Sequence, residues 1–348
     1  MAELGNMRGL PVLQQGASLV DGHARRISYV RVSLTDRCNY RCTYCMPEEG
    51  VALSPKSEVL TLEEIARLVE ALTAVGVRRV RLTGGEPTVR HGLVDLVARL
   101  SALPLEDLAL TTNGHTLAET AAELKRAGLG RLNISIDSLD AARFKSITRW
   151  GDLGRVVAGV EAARAVGFRG TKLNVVALAG FNDHELPALC EWSWARDLVP
   201  RFIEWMPMSD GQLFAPGSFL AAAEIRRILE RAFGPLVADD GAGVPGVGPA
   251  RYMRVAGGAP GRRFGVISAV TEQFCDTCNR VRLSATGKLH TCLARDEEVD
   301  LRGPLRAGAT VDDLIGLVRG AVAVKVQGHT FETSGCGGPR KHMVSIGG

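Results

Sequence analysis

Between residues 27 and 206 six short alternating runs are separated by helical ones, and a further helical run follows near 221–233. The predicted strands are 27–34, 77–83, 108–112, 131–137, 172–178 and 201–206. Helical periodicity fills the intervals, near 61–75, 91–102, 117–127, 140–147, 152–166 and 183–197. Thr61-Leu-Glu-Glu64 is a capping box that starts the first helix. Six β/α units in succession predict a parallel sheet with right-handed crossovers. The strands are not apolar throughout, as strands buried on both faces would be. Arg79, Arg81 and Thr83 alternate with Val80 and Leu82; Asn133, Ser135 and Asp137 with Leu132, Ile134 and Ile136; Lys172 and Asn174 with Leu173 and Val175. If the apolar set meets the helices, the polar set faces inward, as suits a lumen that holds a polar ligand. Six units fall short of the eight of a closed barrel. The expected architecture is therefore α/β, a partial (β/α)6 barrel.

The pattern changes after residue 208. A helix near 221–233 precedes a Gly/Pro-rich stretch, 234–249, read as a linker. Short strands follow at 252–255, 263–270 and 281–289, the last holding a Thr286-Gly287 turn, then a helix near 310–323. This gives a loose N-terminal arm (1–25), a barrel (26–233) and a smaller C-terminal α+β domain (234–348) ending in an extended polar tail.

Candidate chemistry sits at the predicted C-terminal ends of strands, where β/α barrels place their active sites. Cys38, Cys42 and Cys45 form a C-x3-C-x2-C run directly after the first strand. Three thiolates so close suit a soft metal centre, a zinc or an iron–sulfur cluster. A structural zinc takes four ligands, and no fourth lies in this loop; a remote ligand or three unrelated thiols are the plainer readings. Three ligands on a four-iron cluster would leave one iron open. A second set, Cys275, Cys278 and Cys292, is spaced C-x2-C-x13-C and reads equally as a zinc site completed by His290 or Cys336. Arg280 and Arg282 follow on one side of a strand, which suits an anion beside the metal. Cys190 shares an apolar helix face with Leu186, Leu189 and Trp194 and reads as core.

Composition narrows the classes. The chain has 348 residues, 46% of them apolar, a net charge of +4 and 5% aromatic content. That balance argues against a nucleic-acid module built on the second Cys set, which would call for a basic face and stacking aromatics. No apolar run is long enough for a membrane helix, and no secretory signal begins the sequence. Clustered Cys in such a chain point to metal in a reducing cytoplasm rather than to disulfides.

The first run, S-L-T-D-R-C-N-Y-R-C-T-Y-C, resembles the cluster loop of the radical S-adenosylmethionine (SAM) superfamily. With R-L-T-G-G-E-P, T-T-N-G, N-I-S-I-D-S-L-D, K-L-N-V-V, R-F-I-E-W-M, F-C-D-T-C-N-R-V-R-L and the final Gly347-Gly348, the chain resembles the GTP 3′,8-cyclase family, the A proteins of molybdenum cofactor biosynthesis, from about Ile27 to its end. The partial barrel is that superfamily's architecture. The resemblance implies two [4Fe–4S] clusters, one on Cys38, Cys42 and Cys45 that also holds SAM, the other on Cys275, Cys278 and Cys292 that meets the substrate. It implies Tyr44, Gly85, Ser135 and Met206 as SAM contacts. It assigns GTP to Arg31, Arg81, Thr111, Lys172 and the segment Arg280, Val281, Arg282, and gives the Gly347-Gly348 tail a supporting role in the site. The implied reaction turns GTP into a 3′,8-cyclised dihydroguanosine triphosphate, the first step of molybdopterin formation. Implied partners are a reductant such as flavodoxin or ferredoxin and a downstream cyclic pyranopterin monophosphate synthase, with the enzyme itself a monomer or homodimer. A radical SAM peptide-modifying maturase with an auxiliary cluster is the rival within the superfamily. It calls for more Cys near the C-terminus than this chain has.

Overall fold

The computed structural model describes residues 18–209, 213, 219–242, 244, 246, 248–334 and 336–347. Strand β1 (Tyr29–Ser33) leads through the first Cys loop to helix α1 (Leu62–Ala74). The predicted capping box is in place: the Thr61 hydroxyl accepts from the Glu64 N–H, and the Glu64 carboxylate accepts from the Thr61 N–H. The repeat continues with β2 (Arg79–Thr83), α2 (Leu93–Ser101), β3 (Asp107–Thr112), α3 (Leu117–Arg126) and β4 (Arg131–Ser135). Two helices, α4 (Ala141–Thr148) and α5 (Leu153–Ala165), precede β5 (Lys172–Ala177). Helix α6 (Leu186–Trp194) then leads to β6 (Val199–Glu204).

Strands β1 to β6 pair in sequence order, all parallel. Their alternation does what was expected of it. Val30, Val32, Val80, Leu82, Leu110, Leu132, Ile134, Leu173, Val175 and Phe202 are buried in one continuous core with the helices. Burying an aliphatic side chain contributes roughly 1.5–3 kcal/mol, so this outward-facing set drives assembly of the sheet. The opposite face is left to polar groups.

The C-terminal third does not build a separate sheet. After α7 (Ala222–Phe233), β7 (Leu236–Asp239) lies inside the Gly/Pro-rich stretch expected to be a linker. It pairs with β8 (Arg251–Val255), which pairs with β9 (Arg263–Ile267), and β9 runs parallel to β6. At the other edge β10 (Arg280–Leu283) runs parallel to β1 and carries β11 (Lys288–His290) and β12 (Val299–Asp300). The result is one twelve-stranded sheet, ordered β12-β11-β10-β1-β2-β3-β4-β5-β6-β9-β8-β7. Exposed strand edges invite unwanted pairing, and here both edges of the six-stranded core are covered by later strands of the same chain. The short α8 (Arg302–Arg306) and α9 (Val311–Ala323) follow, α9 packing on α1.

The ends also depart from expectation. The part of the N-terminal arm that is described is fixed: Leu19, Asp21 and Arg25 are buried, and the Leu19 N–H donates to the Val75 carbonyl. Near the C-terminus Met343–Ile346 forms a 3₁₀ turn with Val344 and Ile346 buried. Residues 1–17 and Gly348 lie outside the described residues.

Candidate active site

Both Cys triads open on one cavity at the C-terminal ends of the core strands. The first follows β1. Its loop is closed by the Cys45 N–H donating to the Cys42 carbonyl (2.9 Å) and tied to the end of α4 by Arg41 N–H to Thr148 O and Thr43 N–H to Ile147 O. The Tyr40 N–H donates to the Cys38 sulfur at 3.3 Å. Burial pushes the Cys38 thiol up to about 11 and Cys45 to about 12. Cys42 is pushed well up, by burial first and then by Cys45 and Asp137. Burial also raises Asp137 to about 6, while its carboxylate accepts from the Tyr44 hydroxyl at 2.7 Å.

The second triad is built from the 3₁₀ turn Cys275–Thr277, in which the Cys278 N–H donates to the Cys275 carbonyl (3.0 Å), and from Cys292 just after β11. Burial raises the Cys275 thiol as in the first triad, but Cys278 goes the other way. Burial alone would raise the Cys278 thiol, but Arg280 and Lys325 more than offset it and hold it below its ordinary value.

Three clustered thiols that burial makes hard to ionise are stabilised when a metal takes the proton's place, because the thiolate is the ligand. Among the described residues no three His, Cys, Asp or Glu close on a point as a single ion would require. Three thiols in each triad, all lining one cavity, are a donor set that fits a four-iron cluster with one iron left open.

The polar wall between the triads is cationic. Arg31 pairs in register with Arg81 on β2 and with Arg282 on β10, so three guanidinium groups come from three adjacent strands at one level. Arg31 is held well below its ordinary value by burial, then by Arg282 and Arg81. Burial and Arg280 lower Arg282 to about 10. The Nε atoms of Arg31 and Arg81, the Thr111 hydroxyl and the Tyr29 hydroxyl are buried, line the cavity and have no hydrogen-bond partner among the described residues. Buried donors without acceptors are costly, and cations that repel each other call for an anion. The arrangement suits a polyanion such as a triphosphate.

Of the residues singled out in the sequence, Tyr44, Gly85, Ser135, Met206, Arg31, Arg81, Thr111, Arg280, Arg282 and all six triad Cys line the cavity. Two do not. Lys172 opens β5 and is buried at the strand's N-terminal end, where burial and then Arg201, Arg131 and Arg81 lower it to about 6. Val281 lies between the two arginines of β10, and strand alternation sends it to the core face. Arg79 shares Arg81's parity but sits at the bottom of the barrel, where it ion-pairs with Glu106 at 2.5 Å.

Gly85 is required by contact. A Cβ there would lie 2.3 Å from the Arg37 carbonyl oxygen, so any other side chain would push the Gly-Gly-Glu-Pro turn off the Cys loop. Glu86, the next residue, is buried and accepts from Thr88 N–H (3.0 Å), the Thr112 hydroxyl (2.7 Å) and Asn113 N–H (2.7 Å). It thereby ties the loop after β2 to the loop after β3.

The sequence reading missed Arg201, which lines the cavity from β6. Its guanidinium donates to Asn174 (2.6 Å) and Asn133 (2.9 Å), neutral amides that leave its charge uncompensated. The signal was available: Arg201 pairs in register with the inward Asn174. His329 and Phe331 also line the cavity, from a segment without periodicity.

The tail closes the site. Arg282 Nη1 donates to the Gly347 carbonyl at 2.6 Å, and Met343 and Val344 line the cavity.

These features describe a radical SAM protein with a second thiol site, and comparison with known proteins agrees. Residues 32–193 match the family model of the radical SAM superfamily, and residues 199–331 that of Molybdenum Cofactor Synthesis C. Curated relatives named GTP 3′,8-cyclase match almost end to end. That of Nitrobacter hamburgensis is 44% identical over 98% of this chain and 100% of its own length. That of Caulobacter vibrioides is 45% identical over 96% and 95%, and that of Pseudomonas putida F1 46% identical over 92% and 96%. Among solved structures, Streptococcus suis SuiB bound to its precursor peptide SuiA aligns with 60% of this chain and 46% of its own, at 17% identity and a TM-score of 0.49. The chain belongs to the GTP 3′,8-cyclase family.

Proposed function

We infer that this protein is a radical SAM GTP 3′,8-cyclase, converting GTP to (8S)-3′,8-cyclo-7,8-dihydroguanosine 5′-triphosphate as the first step of molybdenum cofactor biosynthesis. The observation that carries this reading is the cationic wall of Arg31, Arg81 and Arg282 set between two thiol triads in one cavity. Clusters on the triads, when bound, supply the electron for reductive cleavage of SAM and an open iron for the guanine. The chain's own residues do the rest. Cys38, Cys42 and Cys45 would hold the first cluster, and Cys275, Cys278 and Cys292 the second. Gly85 lets backbone approach the amino-acid part of SAM, Ser135 offers it a hydroxyl, and Tyr44 and Met206 pack beside it. Arg31, Arg81, Thr111, Arg280 and Arg282 orient the triphosphate, with Arg201 adding charge from deeper in the barrel and Lys172 adding one there once a bound anion favours its protonated form. The buried tail excludes water from a reaction that depends on near-contact geometry.

No helix among the described residues is long and apolar enough to cross a membrane. We place the protein in the reducing cytoplasm, supplied with electrons by a flavodoxin or ferredoxin and passing its product to a cyclic pyranopterin monophosphate synthase. The deciding experiment is anaerobic. Reconstituted protein should carry about eight irons per chain, and GTP, SAM and reductant should yield 5′-deoxyadenosine and the cyclised nucleotide together. Zinc without iron, or cleavage of SAM that GTP never turns into cyclised product, overturns the reading.

A further inference from the structure

Behind the second triad, on the side away from the cavity, lies a buried ion pair that the proposed reaction does not use. Asp21 and Arg25 pair at 2.6 Å with side chains 0% and 6% exposed. The Asp21 carboxylate also accepts from the backbone N–H groups of His23 and Arg25, both at 2.9 Å. With its Nε given to Asp21, the Arg25 guanidinium spends its other observed bonds on carbonyls from the far end of the chain. Nη1 donates to Cys275 O (2.7 Å) and Gln327 O (2.6 Å), and Nη2 to Val326 O (2.6 Å). One planar group therefore joins the turn that presents Cys275 to the segment that passes beside it. A second buried cation touches the segment that carries Cys292. Lys325 is 3% exposed and donates from Nζ to the carbonyl of Thr291, the residue before Cys292.

We propose that Arg25, oriented by Asp21, is a positioning residue for the second thiol triad, and that Arg25 and Lys325 together set the charge around the cluster which that triad holds. This rests on the reading of the triad as a cluster site. A rigid fork of donors suits Arg and not Lys. Groups that hold metal ligands from behind orient them and tune the metal, and a cluster's reduction potential follows net charge and hydrogen bonding around it.

The test is an anaerobic redox titration of the full-length reconstituted protein, followed by electron paramagnetic resonance so that each cluster is read by its own signal. Arg25→Gln removes a positive charge and should move the second cluster's midpoint to more negative potential, leaving the first unchanged. Lys325→Met should do the same. Asp21→Asn removes a negative charge and should move it the opposite way. Arg25→Lys should keep the potential near that of the parent protein but broaden the second cluster's signal, since the fork is lost. Opposite shifts from Arg25→Gln and Asp21→Asn are what a plain structural staple cannot give. An unchanged second midpoint, or shifts of one sign from both, overturns the proposal. Should Arg25→Gln fail to fold, Lys325→Met and Asp21→Asn carry the same opposed test. Iron separates the two failures: a parent protein with about four irons per chain and a single cluster signal refutes the cluster reading itself, whereas about eight with no shift refutes only the role of Arg25 and Lys325.

Discussion

Arg282 holds Gly347 by its carbonyl at 2.6 Å, and Arg282 is itself aligned with Arg31 across the junction of β10 and β1. One guanidinium thus serves both the cationic wall and the end of the chain. Arg282 can reach a bound anion only where the tail leaves it room, so tail and substrate are mechanically linked.

Gly347→Ala tests that link. Gly347 has φ +72°, and a Cβ there would lie 2.3 Å from Thr83 Oγ1 and 3.1 Å from Ser33 Cβ. The substitution should lift the tail from the cavity. A misplacement of about 1 Å can cost on the order of a hundredfold in rate, so formation of the cyclised nucleotide should fall by about that factor while SAM cleavage persists. Paired assays of 5′-deoxyadenosine and cyclised product check it; parent-level cyclisation would show the tail to be dispensable.

Arg81→Ala should weaken GTP binding far more than SAM binding. A charge-assisted hydrogen bond contributes roughly 1.5–3 kcal/mol, equivalent to tenfold or more in affinity. Isothermal titration with each ligand under anaerobic conditions gives the ratio. Equal losses would make Arg81 a residue of the fold and not of the site.

Cys278→Ala should leave about half of the parent's iron, as expected from losing one of two four-iron clusters. The first triad lies on the loop after β1 and does not depend on the Cys275–Thr277 turn. The variant should still cleave SAM slowly under strong reductant and form no cyclised nucleotide. Iron analysis with the same two product assays decides it, and surviving cyclisation would reduce the second triad to a structural role.

Lys172 gives a pH signature to the ligand-free protein. Its folded value, about 6, lies below the ordinary 10.5 because of burial and the neighbouring Arg201, Arg131 and Arg81. Between those values the unfolded chain binds a proton that the folded chain does not. Stability should therefore rise with pH across that window, and the cost is largest below pH 6. Lys172→Met should stabilise the ligand-free protein at pH 7 and flatten the rise, while weakening GTP binding. Urea melts at pH 6.5, 7.5 and 8.5 read the slope. A Met variant less stable at pH 7, with the slope kept, would mean that burial of Lys172 is not the source.

The barrel was legible because parallel strands that line a polar lumen carry a two-residue alternation, which β1, β2 and β4 keep throughout and β3 and β5 keep in part. Both triads were legible from spacing. What the pattern does not encode is depth. Arg79, Arg81 and Thr83 share one parity, yet Arg79 ends beside Glu106 at the bottom and Thr83 at the rim. Lys172 was placed at the site on the same parity, although it begins its strand. Pairing between distant strands was equally hidden: nothing local in Arg280–Leu283 says that it will lie against Tyr29–Ser33. Asp21 and Arg25 looked like part of a loose arm because their partners lie some 250 to 300 residues away.

That long-range pairing has a consequence for how the protein is made. Strand β1 and the first Cys loop leave the ribosome well before β10, Cys292 and the Gly347 turn, which lie some 250 to 310 residues later. Chains fold from the N-terminus during synthesis, and contacts between distant segments wait for both to exist. A nascent chain can complete β1 to β6, but its cavity keeps an open flank and an uncovered edge on β1 until β10 has been made. Cofactors thus meet a finished pocket only once those later segments are in place, and a chain cut short before β10 leaves the first three thiols without that cover.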